Sequence, residues 1–229
     1  MLNKSKSVFF LLVILFVQCQ TSQQIQPHIS ANIPITSDYE NNSKMDMIIE
    51  PYAEGLDSVM NEVIGFCPMF LQKQKPSSTL GSMMADAVLY ISKKEGYTVD
   101  FCILNYGGIR STLDSGYITL GETFELMPFE NQITILKISE DIAQDLRKHI
   151  LKKGGEPMSS GFEILRGPTK NRPFYHVAVN DYMANGGDGY QFLSNATQRW
   201  DTHIKIRDGL IEYIKTHNPL PLNFEKRAL

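Results

Sequence analysis

The sequence predicts an α/β protein of the α+β kind: a single compact domain with helices packed on a mixed β-sheet. Three observations carry this. Helix-type and strand-type apolar patterns alternate along the chain from residue 48 onward. About 185 residues remain once the first 44 are set aside, enough to bury one proper core. No repeat of fixed period is visible, which argues against a solenoid or a propeller. Composition agrees: 42% hydrophobic, 21% charged, 16 Gly and 11 Pro describe a globular chain and exclude a disordered or collagen-like one.

The elements follow in order. Residues 48–63 read as a helix with Pro51 near its first turn, and 66–72 as a strand. Ser78 or Thr79 can cap a second helix, whose Leu80, Met83, Met84, Ala87, Val88 and Ile91 keep helical spacing up to Gly96. Residues 99–104 form a buried-type strand that runs into a glycine turn, and 120–127 a short helix. Residues 133–138 read as a strand. Ser139, Glu140 and Asp141 then open a helix with acids in its first turn and Lys152 and Lys153 at its end, closed by Gly154 and Gly155. Residues 174–180 are a strand feeding a second glycine-rich loop, and 206–216 a last amphipathic helix.

The N-terminus reads as an address. Lys4 and Lys6 precede an apolar run over 8–17, too short to span a membrane and right for a signal-peptide core. Residues 1–18 are therefore expected to be a lipoprotein-type signal, with Cys19 as the lipidated residue; ordinary secretion is the alternative. Among residues 19–44, 13 of 26 are Gln, Ser, Asn or Thr, so the segment is expected to be a flexible tether, with the domain over 45–229. The expected location is the bacterial cell envelope, facing periplasm or exterior, held to the membrane through the lipid alone. A formal charge of −3 gives no basic excess for a nucleic acid. Cys67 and Cys102 sit in apolar stretches and read as buried free thiols, although an oxidising compartment leaves a disulfide open.

Three loops carry the chemistry. In Asn105-Tyr106-Gly107-Gly108-Ile109-Arg110, paired glycines let backbone approach a ligand, while Asn105 and Arg110 offer an amide and a planar guanidinium. In Pro128-Phe129-Glu130-Asn131, an aromatic ring beside an amide suits a heterocycle, which it can stack on and read at the edge; a ring anchoring a turn is the plainer alternative. In the third loop, 180–190, Gly186, Gly187 and Gly189 leave the Asp188 carboxylate uncrowded enough to accept two hydrogen bonds from a vicinal diol, and Tyr182 supplies a second flat face. A calcium loop would need a closing Glu, and a phosphate loop would need Gly-Lys-Ser/Thr; neither is present.

These motifs, in this order and spacing, resemble the C-terminal domain of the 5′-nucleotidase family, with Leu80-Gly81 and Asp86-Ala87 resembling the family's earlier helix. The resemblance covers about residues 45–225. It implies that Phe129 and Tyr182 sandwich a nucleobase, with Asn131 near the base. It further implies that Asp188 binds ribose hydroxyls and that Asn105 and Arg110 contact sugar and phosphate. The family's further Arg before Leu-Gly has no counterpart; its place falls near Gln74, between Lys73 and Lys75, and Ser82 stands where the family often has Asn.

Full-length members carry a phosphoesterase domain with two metal ions, and here the chain before residue 45 is read as leader and tether. Of His28, His149, His176, His203 and His217, none joins a metal-type cluster in the sequence, and His149 and His217 read as surface residues. Phosphate-monoester hydrolysis needs a barrier reduction on the order of 20 kcal/mol, which one Arg and one Asn cannot supply. The expectation is a nucleoside- or nucleotide-binding half of a split phosphohydrolase in nucleotide catabolism. It has no catalytic or metal-binding residue of its own, and a separate metallophosphatase chain is expected to bring the divalent metals. The alternative is a lipoprotein that binds nucleosides or nucleotides without chemistry.

Overall fold

The computed structural model describes residues 32, 36, 43–167, 172–221 and 227–229. The predicted leader, Cys19 and most of the predicted tether lie outside them. The chain divides into Met1–Asp46 and Met47–Leu229, and the second unit is the subject here. No described helix is long and apolar enough to cross a membrane.

Helix α1, Ser43–Met60, starts earlier than predicted, so Pro51 lies in its interior and removes one backbone donor there. Val63 belongs to strand β1, Val63–Cys67, and not to the helix; the predicted strand over 66–72 therefore starts and ends too late, and Leu71 keeps only an isolated bridge to Leu113. Helix α2, Thr79–Lys94, is capped by the Ser78 side chain, which accepts the Gly81 N–H, and it buries the apolar face read from its spacing. Gly81 is small because Pro157 packs on it: an added Cβ would lie 2.9 Å from Pro157 Cβ. Strand β2 is only Phe101–Cys102, and β3 is Gly116–Thr119, which the sequence reading missed. Thr119 and Glu122 form a reciprocal capping box at the start of α3, Leu120–Leu126. Strand β4 is Gln132–Ser139, α4 Glu140–Lys152 and β5 Phe174–Asn180, followed by the single turn α5, Asp181–Ala184. Strand β6, Gln198–Lys205, was also missed; α6, Ile206–Thr216, has the predicted bounds.

β1 and β3 pair antiparallel as a ribbon. The main sheet has the order β2-β5-β4-β6, with β2 parallel to β5 and the other pairs antiparallel, so the sheet is mixed as expected. Its two faces feed two apolar clusters. Ile133, Ile135, Cys102 and Ala178 join α2 and α6 on one face, while Leu136, Ile138, Val177 and Val179 join α4 on the other. This alternation is the period-2 consequence of strand pleat. Cys67 and Cys102 are free and buried, and burial pushes both thiols above their ordinary range.

Strand direction decides where the loops go. β5 and β2 point the same way and β4 points back, so the ends of β2 and β5 and the start of β4 share one edge; Ile133 pairs with Asn180 and Cys102 with Ala178. The end of β6 joins them, with Lys205 opposite Gln132.

Candidate functional site

At that edge lies a cavity of about 360 Å³ lined by Asn105, Gly107, Gly108, Arg110, Phe129, Asn131, Tyr182 and Asp188. All six predicted side chains and the first glycine pair therefore open on one space, drawn from three loops far apart in sequence.

The first loop leaves β2 and makes a tight turn over Tyr106–Gly108. Asn105 is buried; its Nδ2 donates to Asp188 Oδ2 at 2.8 Å, and its Oδ1 accepts from Asn180 Nδ2 at 2.7 Å. Gly108 sits against that amide, since a Cβ there would lie 3.0 Å from Asn105 Oδ1. Arg110 is exposed, and its backbone N–H donates to Leu126 O at 3.0 Å, which ties the first loop to the end of α3. Its guanidinium lies 5.7 Å from the centre of the Phe129 ring. Phe129 is 41% exposed and Tyr182 47%, so neither ring is spent on the core.

In the third loop Gly186 takes φ +91°, and Asp188 takes φ +54°, a left-handed conformation uncommon outside glycine. Gly186 and Gly187 do not line the cavity. Gly187 backs Tyr182: a Cβ there would meet the ring atoms Cζ, Cε1 and Cε2 at 2.4–2.5 Å, so one ring face rests on this glycine. The Tyr182 hydroxyl donates to Asp188 Oδ1 at 3.2 Å.

Several residues that hold this arrangement were not singled out from sequence. Glu156 is buried; its Oε2 accepts the Tyr106 N–H at 2.5 Å and its Oε1 accepts the Tyr190 hydroxyl at 3.2 Å, which links the first loop to the third. Lys153 Nζ lies 3.4 Å from Glu156 Oε1 and 3.7 Å from Asp188 Oδ2. Burial and then the Glu156 charge push the Tyr190 phenol well above its ordinary range, so it stays a neutral donor. His149 is not the surface residue expected: it is half-buried, 4.4 Å from the Tyr190 ring, with Nε2 3.2 Å from Asp188 O. His217 is likewise half-buried, stacked on Tyr213 at 4.1 Å. The sequence offered one signal for the buried acid, a Glu directly after Gly154-Gly155, which was read only as a helix stop.

Cations gather at the first loop. Lys73 Nζ donates to Ile109 O at 2.7 Å and lies 4.0 Å from the centre of the Tyr106 ring; Lys75 Nζ lies 4.9 Å from it. Burial, followed by the charges of Arg110 and Lys75, holds Lys73 below the usual lysine range. An anion placed there would relieve that repulsion.

Chemically, the cavity offers two open aromatic faces, a carboxylate with acceptor capacity to spare, amides at Asn105 and Asn131, and cations at one side. Among the described residues, no group of three or more His, Cys, Asp or Glu is gathered as a metal ion would require.

Comparison with known proteins agrees with the architecture. Residues 63–164 match the family described as 5′-nucleotidase, C-terminal domain. The chain is 27% identical over 201 residues to the trifunctional nucleotide phosphoesterase protein YfkN of Bacillus subtilis, covering 74% of this chain and 14% of that protein. It is 26% identical over 152 residues to a probable 5′-nucleotidase of Treponema pallidum, covering 52% and 26% of the two. The crystal structure of a 5′-nucleotidase precursor from Thermus thermophilus shares the fold, with a TM-score of 0.64 and 23% identity over 81% of this chain and 43% of that one. The chain thus spans between 14% and 26% of these two curated relatives' lengths.

Proposed function

We propose that this chain, whose residues 63–164 match the 5′-nucleotidase C-terminal domain family, binds the nucleoside part of a nucleotide and serves as the substrate-holding half of a two-chain phosphohydrolase in nucleotide catabolism. One observation carries the reading: Phe129, Tyr182 and Asp188 open on the same cavity. Phe129 and Tyr182 stack on the base, Asn131 meets its edge and Asp188 accepts the ribose hydroxyls. Arg110, with Lys73 beside it, takes the phosphate.

The dinuclear metal centre of the family does not fit the described residues, which gather no group of three or more His, Cys, Asp or Glu. A separate metallophosphatase chain brings the metals and the hydrolytic chemistry. Acylation of Cys19 holds this half at the cell envelope, where shared anchoring raises the partner's effective concentration.

Calorimetric titration of the full chain with adenosine and AMP tests the binding. Adenosine is expected to bind, and F129A and Y182A each to weaken it; no binding by the wild-type chain overturns the reading. Co-purification from the native membrane, followed by an AMP hydrolysis assay, tests the pairing. Phosphate release that requires both chains supports the split enzyme. Binding without release in the recovered assembly leaves a binding lipoprotein instead.

A further inference from the structure

We propose that Arg207 is a positioning residue for the stacking ring: it fixes the turn 127–131 so that Phe129 is aimed into the cavity. The inference rests on the nucleoside-binding reading above and adds to it a residue that does not line the cavity.

Arg207 stands in the first turn of α6 and is 6% exposed. Its Nη1 donates to Met127 O at 3.1 Å and its Nη2 pairs with the Glu130 carboxylate. The preceding residue completes the clamp, with the Ile206 N–H donating to Asn131 O at 3.0 Å. Lys205 grips Glu130 as well. The start of α6 thus holds the turn at Met127, Glu130 and Asn131, and Phe129 projects between those points.

Stability alone is a poor reason for a guanidinium here. Its Nε is buried and has no hydrogen-bond partner among the described residues. A cation in the first turn of a helix faces the positive end of the backbone dipoles, an unfavourable placement that Asp208 in the same turn and Glu130 from outside offset. An apolar side chain of similar volume could cover Phe124, whose ring centre lies 4.0 Å from the guanidinium carbon, without these two costs, but it would leave the Met127 carbonyl without its donor. It could not hold a carbonyl and a carboxylate in fixed directions at once, as a planar fork does. The geometry therefore favours orientation of the turn over stability of the core.

The test compares R207M and R207K in the full chain by adenosine titration, thermal unfolding and fluorine NMR with 4-fluorophenylalanine at position 129. R207M is expected to lower the Tm, because the Met127 carbonyl loses the guanidinium's N–H, and, at a temperature where the chain stays folded, to raise the Kd for adenosine by about fivefold to tenfold. In an F129A background the same change is expected to add no further loss, because its effect runs through that ring. R207K retains the charge without the fork, and its Kd is expected to stay close to that of R207M. The fluorine signal is expected to broaden or split in both variants. Equal losses with and without the Phe129 ring, or full recovery of binding by R207K, would overturn the proposal. So would an unchanged fluorine line, and that arm holds even if the wild-type chain fails to bind adenosine, an outcome that counts against the nucleoside reading and not against the role of Arg207. Should R207M not fold, R207K carries the fluorine test alone.

Discussion

Asn180 fixes the orientation of Asn105. The backbone N–H of Met183 donates to Asn180 Oδ1 at 2.8 Å, which leaves Asn180 Nδ2 as the donor to Asn105 Oδ1. Asn105 is then left with its own Nδ2 facing Asp188, 83 positions further along the chain. A peptide N–H cannot accept, so the polarity of the whole relay follows from that first bond.

The relay predicts the behaviour of N180D. An aspartate keeps the cap on Met183 but has no N–H for Asn105, and it places a carboxylate against a carbonyl oxygen in a fully buried site. The variant is expected to lose about 1–3 kcal/mol of stability and to bind adenosine more weakly, since Asn105 no longer holds Asp188. Urea unfolding and calorimetry check both. Binding at wild-type strength would show that the relay does not govern Asp188.

Gly187 predicts a second effect. Its backbone lies against the Tyr182 ring, so G187A must displace that ring. Adenosine binding is expected to weaken by about 1–3 kcal/mol, the scale of one stacking contact. In a Y182A background the same substitution is expected to change nothing, because the clash is gone. A loss that persists without the ring would point to the backbone instead.

Lys73 separates nucleotide from nucleoside. K73M is expected to weaken AMP about tenfold while leaving adenosine within about twofold, and added salt is expected to narrow the gap. The sign of the proton linkage follows from its depressed pKa. Between that value and the ordinary lysine value the unfolded chain holds the proton and the folded chain releases it, so stability rises with pH in this alkaline window. A bound phosphate reverses the shift. AMP binding in that window is therefore expected to take up protons, read as a dependence of the calorimetric heat on buffer ionisation enthalpy, and K73M is expected to abolish the uptake.

Glu156 is expected to matter for both fold and site. E156Q substitutes an N–H₂ for one carboxylate oxygen among donors from Tyr106, Tyr190 and Lys153. One buried donor then lacks an acceptor, a loss of about 1–3 kcal/mol. Hydrogen exchange of the Tyr106 amide is expected to quicken more than that of β4 amides. Uniform quickening would assign Glu156 to global stability alone.

Much of the scaffold was legible because it is local. Phe174–Asn180 and Ile206–Thr216 carry strong apolar patterns and were read with their observed bounds. β6 was missed because it is an edge strand whose first four residues are exposed; Gln198, Arg199 and Asp201 give no apolar alternation, and backbone pairing with β4 makes it a strand. β3 is four residues long and completes a ribbon with β1, so it has no periodicity to read. His149 differs for the same reason: Arg147, Lys148, Lys152 and Lys153 give it a surface-type setting in the sequence, while the ring it packs on, Tyr190, comes from another loop.

The chemical parts are legible along the chain: two aromatic residues in polar breaks, an aspartate among glycines and an amide and a guanidinium flanking a glycine pair. Such groups are set by residue type and by backbone freedom, both of which are local. That they meet, with Glu156, Asn180 and Arg207 behind them, is a property of the folded chain. Strand order and direction bring the ends of β2 and β5 beside the start of β4. Those pairings join residues many tens of positions apart, and no periodicity along the chain encodes a contact at that range.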